Sequence, residues 1–260
     1  MNYATYPSLR DRLVFVSGGS SGIGAELVRA FAAQGARVAF CGTKEGGGQA
    51  LIDELVAMDL PAPRYAACDV RDVVAYQALL SHLIADLGPI HVLVNNAGRD
   101  DRHAMEDVTP ALWDERMALN LKHYFFAIQA VAAGMAEAGG GSIINMGSVS
   151  WMRGRPNLVA YTTAKAGILG LTRTLARELG GRHVRVNALV PGAIVTERQN
   201  SLHRDPVADQ AFLDAQCLKI RLDPGHVARP ALFLAADDSN GMTGQHVLVD
   251  AGIAQQSVLS

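Results

Sequence analysis

Lysine is scarce in this chain of 260 residues. Lys44, Lys122, Lys165 and Lys219 are the whole set, and arginine carries the remaining positive charge. The skew reads as codon usage, not as function. With 23 basic and 25 acidic residues the net charge is −2, so the chain lacks the basic footprint that nucleic acid or an anionic membrane requires. Cysteine is equally sparse. Cys41, Cys68 and Cys217 lie far apart, with no CxxC pair and no metal-ligand spacing. Such a trio is expected as free thiols in a reducing compartment, with no metal site. No apolar run approaches the roughly 20 residues that span a bilayer. Residues 1–18 hold no basic segment followed by a long apolar one, so no signal peptide is expected. These absences predict a soluble, cytoplasmic protein with neither nucleic-acid nor membrane partners.

What is present is ordinary for a globular protein: 49% hydrophobic and 18% charged residues, which exclude disorder and collagen-like repeats. A chain this long buries roughly three quarters of its unfolded surface and needs no staples. Short β-rich runs alternate with helical patterns almost from end to end. The expected strands are 13–16, 37–40, 64–67, 91–94, 142–145, 184–189 and 246–249, several of them apolar on both faces, as strands between two helical layers should be. Helical stripes run through Ile23, Leu27, Val28 and Phe31, then Leu51, Leu55 and Val56, then Val73, Leu79, Leu80, Leu83 and Ile84. Two longer helices are expected at 112–133 and 159–179. The alternation predicts an α/β fold: one doubly wound parallel sheet of about seven strands with helices on both faces, in a single domain over 1–260. One irregular stretch, about 197–224, reads as a lid.

The first strand runs into Ser17-Gly18-Gly19-Ser20-Ser21-Gly22-Ile23-Gly24 and then a helix. Glycine at 18 and 22 lets backbone turn tightly against a pyrophosphate, and Gly24 lets helix and strand pack closely. Unpaired N–H groups at the helix start favour the same anion. Gly18, Ser20, Ser21, Gly22, Ile23 and Gly24 are therefore candidate dinucleotide contacts. The second strand ends in Cys41-Gly42-Thr43-Lys44, without the carboxylate that would repel a 2′-phosphate. Gly42, Thr43 and Lys44 thus leave NAD and NADP both open, with a lean to NADP. Asp69, followed by Val70, either accepts from the adenine amino group or caps the next helix.

Tyr161 and Lys165 stand four apart on a predicted helix and face the same way. A phenol is a poor base at pH 7, and a neighbouring ammonium stabilises its phenolate. Ser148 ends a strand at the carboxyl edge of the sheet, where ligands of α/β folds bind, and can hydrogen-bond a substrate oxygen. With the glycine loop, Asn95-Asn96-Ala97-Gly98, and Pro191-Gly192 followed by Thr196, these residues resemble the short-chain dehydrogenase/reductases across essentially the whole chain. Ser17 stands where that family usually has threonine and keeps the hydroxyl. The resemblance implies a Rossmann-type domain, a nicotinamide cofactor, a homotetramer and a catalytic tetrad of Asn120, Ser148, Tyr161 and Lys165, with Asn120 holding a relay water. Asn96, Ala97 and Gly98 are then expected against the cofactor, as are Pro191, Gly192, Ile194 and Thr196 around the nicotinamide, while Asn95 is structural.

Within the family, Arg102-His103, Ser148-Val149-Ser150-Trp151, Thr196-Glu197-Arg198-Gln199, the segment 215–219 and the segment 249–252 resemble bacterial aldose 1-dehydrogenases. The expected pocket wall is polar. Ser150, Arg155, Asn157, Glu197 and Gln199 are candidate sugar contacts, and Trp151 could supply an aromatic face. The implied reaction takes hydride from C1 of an aldose and leaves a lactone. A carbonyl reductase of the 3-oxoacyl carrier-protein type is the alternative. A nucleotide-sensing protein without catalysis is a remote one, disfavoured by the intact tetrad.

Overall fold

The computed structural model of the protein describes residues 3–197 and 206–255. All seven expected strands form: β1 Leu13–Ser17, β2 Arg37–Gly42, β3 Arg64–Ala67, β4 Val92–Asn95, β5 Gly141–Met146, β6 Val184–Pro191 and β7 His246–Val249. They pair in parallel in the order β3-β2-β1-β4-β5-β6-β7. Alternation along β1 explains why the sheet is covered twice. Val14 and Val16 pack with Leu27, Val28 and Phe31 of α1 (Gly22–Ala33) on one face. Leu13 and Phe15 pack on the other with Tyr76, Leu80 and Leu83 of α3 (Val73–Leu87). Each fully buried side chain of this size contributes about 1.5–3 kcal/mol. The stripe on α2 (Gln49–Ala57) is narrower than expected. Leu51 and Leu55 are buried, but Val56 is 53% exposed.

The helix expected at 112–133 is interrupted. It begins as α4 (Pro110–Met117), with Thr109 Oγ1 accepting from Leu112 N. It then widens into a π turn at Ala118–Lys122 and continues as α5 (His123–Glu137). Such π turns are rare and gather at functional sites. The next long helix, α6, spans Val159–Leu179 as the periodicity predicts. The stretch at 197–224 contains α7 (Pro206–Asp214), while residues 198–205 lie outside the described residues. α8 (Pro224–Ala235) carries a capping box between Asp223 and His226 and packs beside α1. No helix of the described residues is long and apolar enough to cross a membrane.

The strand order reverses between β1 and β4, and that switch point opens a crevice at the carboxyl ends of the strands. Ser17 Oγ at the end of β1 accepts from Asn96 N (3.0 Å) and Ala97 N (3.1 Å) beyond β4. Asn96 Nδ2 returns bonds to the carbonyls of Ser17 and Gly18. These bonds fix the two sides of the crevice relative to each other.

Candidate active site

A cleft of about 1670 Å³ occupies the switch point. All twenty expected cofactor residues line it: Gly18, Ser20, Ser21, Gly22, Ile23, Gly24, Gly42, Thr43, Lys44, Asp69, Val70, Asn96, Ala97, Gly98, Tyr161, Lys165, Pro191, Gly192, Ile194 and Thr196. The glycine loop needs its glycines. Gly18 and Gly22 have φ of +67° and +54°, a region that side chains rarely adopt. A Cβ on Gly24 would sit 2.0 Å from the Gly18 carbonyl oxygen and 2.7 Å from Asn96 Nδ2. Backbone N–H groups at the start of α1 remain available to an anion. This cradle fits the pyrophosphate of a dinucleotide. Thr196 closes over it, its methyl 3.4 Å from where a Cβ on Gly22 would lie.

Asp69 does not take the capping role open to it. The cap of α3 is Asp72, whose side chain accepts from Ala75 N, so Asp69 is not the helix cap. Its carboxylate instead accepts from Arg71 N, Nε and Nη2, and Arg71 reaches on to Glu115 at 2.7 Å. The guanidinium holds the Asp69 carboxyl below the usual range. Asp69 still lines the cleft, clamped in place.

The four residues of the implied tetrad converge. Tyr161 and Lys165 lie one turn apart on α6, with Lys165 Nζ 5.7 Å from the Tyr161 ring centroid. Lys165 is 3% exposed, and burial pulls its ammonium down to about 7, opposed by the charge of Asp100. Ser148, just beyond β5, is held by Ser150, which donates from its backbone N (3.1 Å) and takes the Ser148 hydroxyl at 3.0 Å. Asn120 sits buried in the π turn beneath the cleft. Its Oδ1 accepts from Arg99 N at 2.8 Å and its Nδ2 donates to Arg116 O at 3.0 Å. A Cβ on Gly98 would lie 2.9 Å from Asn120 Oδ1 and 3.4 Å from Lys165 Nζ, so only glycine lets the three approach. Behind them Asn95 Nδ2 donates to Asn145 Oδ1 and Asn145 Nδ2 to Thr172 Oγ1, joining β4, β5 and α6.

At the other end Ser150, Arg155 and Glu197 line the cleft, but Trp151 and Asn157 do not. Asn157 turns the chain with φ +62° and offers its carbonyl to His103 N. Gln199 lies outside the described residues. An aromatic wall comes from Phe212 of α7 instead, with the Arg153 guanidinium 5.4 Å from its ring centroid. Sequence reasoning passed over Phe212 because a lone aromatic on a short amphipathic helix reads as core. It also passed over Tyr124, whose hydroxyl takes a hydrogen bond from Lys165 Nζ at 3.1 Å. No group of three or more His, Cys, Asp or Glu among the described residues could hold a metal.

Residues 18–254 match a family model described as Enoyl-(Acyl carrier protein) reductase. The chain is 48% identical over 252 residues to the D-xylose 1-dehydrogenase of Caulobacter vibrioides, covering 97% of this chain and 99% of that one. Among solved structures it is similar to the Thermoplasma acidophilum aldohexose dehydrogenase, with a TM-score of 0.86 and 26% identity over 98% of both chains. It is similar also to a blue fluorescent protein from a metagenomic library solved with NADPH, with a TM-score of 0.87 and 34% identity, covering 95% of this chain and 99% of that one. Fold, cleft and kinship agree: the chain belongs to the short-chain dehydrogenase/reductase family and is an NAD(P)-dependent oxidoreductase.

Proposed function

We propose that this enzyme oxidises an aldose at C1, giving a sugar lactone. The 48% identity to D-xylose 1-dehydrogenase over 97% of the chain carries the choice of an aldose. The polar wall of Ser150, Arg155, Arg153 and Glu197 supports it, since a polyol needs many hydrogen bonds where a fatty-acyl chain needs apolar surface. When bound, the nicotinamide supplies the acceptor for the hydride that leaves C1. The rest falls to the protein. The glycine loop would hold the pyrophosphate on backbone N–H groups, while the Ile194 backbone and Thr196 hydroxyl would hold the carboxamide. Tyr161 takes the C1 hydroxyl proton. The Lys165 ammonium favours the phenolate that does so, and Ser148 donates to the sugar oxygen while charge builds there. Asn120 holds a relay water toward Lys165.

For the adenosine end we favour NADP. Thr43 can donate to a 2′-phosphate and Lys44 can neutralise it, and no acid stands at the end of β2 to oppose it. The same reading takes the enzyme as a cytoplasmic homotetramer. Phe125 on α5 and Val159 on α6, 40% and 44% exposed, support interfaces on the two long helices.

A panel of aldoses and an acetoacetyl thioester, each run with both cofactors and followed by nicotinamide absorbance, tests this. Reduction of cofactor by an aldose, with the lower KM for NADP, is expected. Turnover of the thioester alone would reverse the assignment.

A further inference from the structure

Lys165 has a support outside the tetrad. Its Nζ donates to the Met146 carbonyl at 2.8 Å and to Tyr124 Oη at 3.1 Å. It has no ion-pair partner among the described residues. The ammonium lies close to two phenol rings, Tyr161 on its own helix and Tyr124 on α5, with centroids at 5.7 and 5.1 Å. Tyr124 is wholly buried and its own hydroxyl is directed at the Met146 carbonyl, 3.2 Å away, which leaves its lone pairs to Lys165. The His123 ring meets the Tyr124 ring edge-on at 4.5 Å and braces it.

We propose that Tyr124 is a positioning residue that keeps Lys165 protonated and aimed beneath Tyr161. This rests on the proton-acceptor role given to Tyr161. The titratable groups facing the ammonium are Tyr161 on α6, Tyr124 and His123 on α5, and Asp100 in the loop after β4. Burial drives His123 down to about 3 and pushes the Tyr124 phenol well above the ordinary range. Both stay neutral at working pH. In this reading the reaction's proton is shared between Tyr161 and Lys165, and such coupled sites are treated as one pair.

When that pair holds one proton, either Tyr161 is ionised beside an ammonium or both groups are neutral, and only the first arrangement is competent. Tyr124→Phe removes an acceptor from the ammonium alone, so it favours the neutral arrangement. A hydrogen bond to a charged group corresponds to about one pH unit in the lysine midpoint. In kcat/KM against pH, the acidic arms of variant and wild type should therefore coincide. The variant should then level off about one pH unit earlier, at a plateau up to about tenfold lower.

The direct readout is the ε-13C resonance of lysine. With only four lysines in the chain, the Lys165 signal can be assigned by its absence in Lys165→Met. Its midpoint should fall by about one pH unit in Tyr124→Phe. Tyr124→Leu deletes the same acceptor and is read identically should the phenylalanine variant fail to fold. An unmoved lysine midpoint, with or without lost activity, overturns the proposal, because simple packing loss leaves that titration alone. A shifted midpoint in an enzyme that keeps its turnover as Tyr161→Phe would leave Tyr124 in its role and remove Tyr161 from its own.

Discussion

Replacing Tyr161 with phenylalanine is expected to lower kcat by about a thousandfold or more while the dinucleotide still binds. The substitution deletes one oxygen and keeps the ring, so the helix and the approach of Lys165 survive. A positioned general base contributes typically 10²–10⁴-fold. Lys165 cannot take over. Its Nζ is already committed to the Met146 carbonyl and Tyr124 Oη, and to serve as base it would have to give up the charge proposed to stabilise the phenolate. Ser148 offers no substitute base either, since its hydroxyl is unactivated and bonded to Ser150. Cofactor affinity, read by quenching or calorimetry, should change by less than about threefold. Turnover near that of the wild type would remove Tyr161 from the mechanism.

Gly24→Ala is expected to weaken cofactor binding about 100-fold. On helix propensity alone the change is favourable, since alanine is better than glycine inside a helix by about 1 kcal/mol. The contacts reverse the sign. The new methyl would fall 2.0 Å from the Gly18 carbonyl oxygen and 2.8 Å from its carbon, both backbone atoms of the loop that must cradle the phosphates. Relieving that clash moves α1 away from β1 or pushes Gly18 into the crevice. Overpacking of this kind costs about 1–3 kcal/mol, which for a chain of this length lowers Tm by several degrees. Displacing two N–H donors from a charged phosphate removes roughly another 3 kcal/mol of binding, or about 100-fold in cofactor Kd at 1.4 kcal/mol per decade. A Gly24→Ala enzyme that binds cofactor within threefold of wild type would mean that the loop does not hold the pyrophosphate as argued.

The sheet was readable because several of its strands are apolar on both faces and most end where glycine, serine or asparagine begins. That pattern survives any rearrangement of helices around it. The residues that line the cleft were readable for a related reason: a strand, a glycine loop and a helix in sequence leave the backbone few places to go. Features created by contacts distant in sequence could not be read. The π turn at 118–122 carries Asn120, whose Oδ1 is fixed by a backbone N–H from Arg99, 21 residues earlier. Nothing in the local pattern of 110–133 distinguishes that turn from α-helix. Asp69 is clamped by Arg71, which itself leans on Glu115, 44 residues further on. Tyr124 looks like one aromatic among Tyr124, Phe125 and Phe126, and only the packing of α5 against α6 gives it Lys165 as a partner. Trp151 was expected to supply an aromatic face because it follows Ser148-Val149-Ser150, and Phe212 lines the cleft instead.

The measurement that bears most directly on the whole account uses the best aldose of the panel carrying deuterium at C1 only. Hydride transfer between C1 and a dinucleotide in the switch-point cleft predicts that the deuterium is recovered in the reduced nicotinamide, with a lactone as the sugar product. Deuterium retained in the sugar, or washed into water, would contradict it.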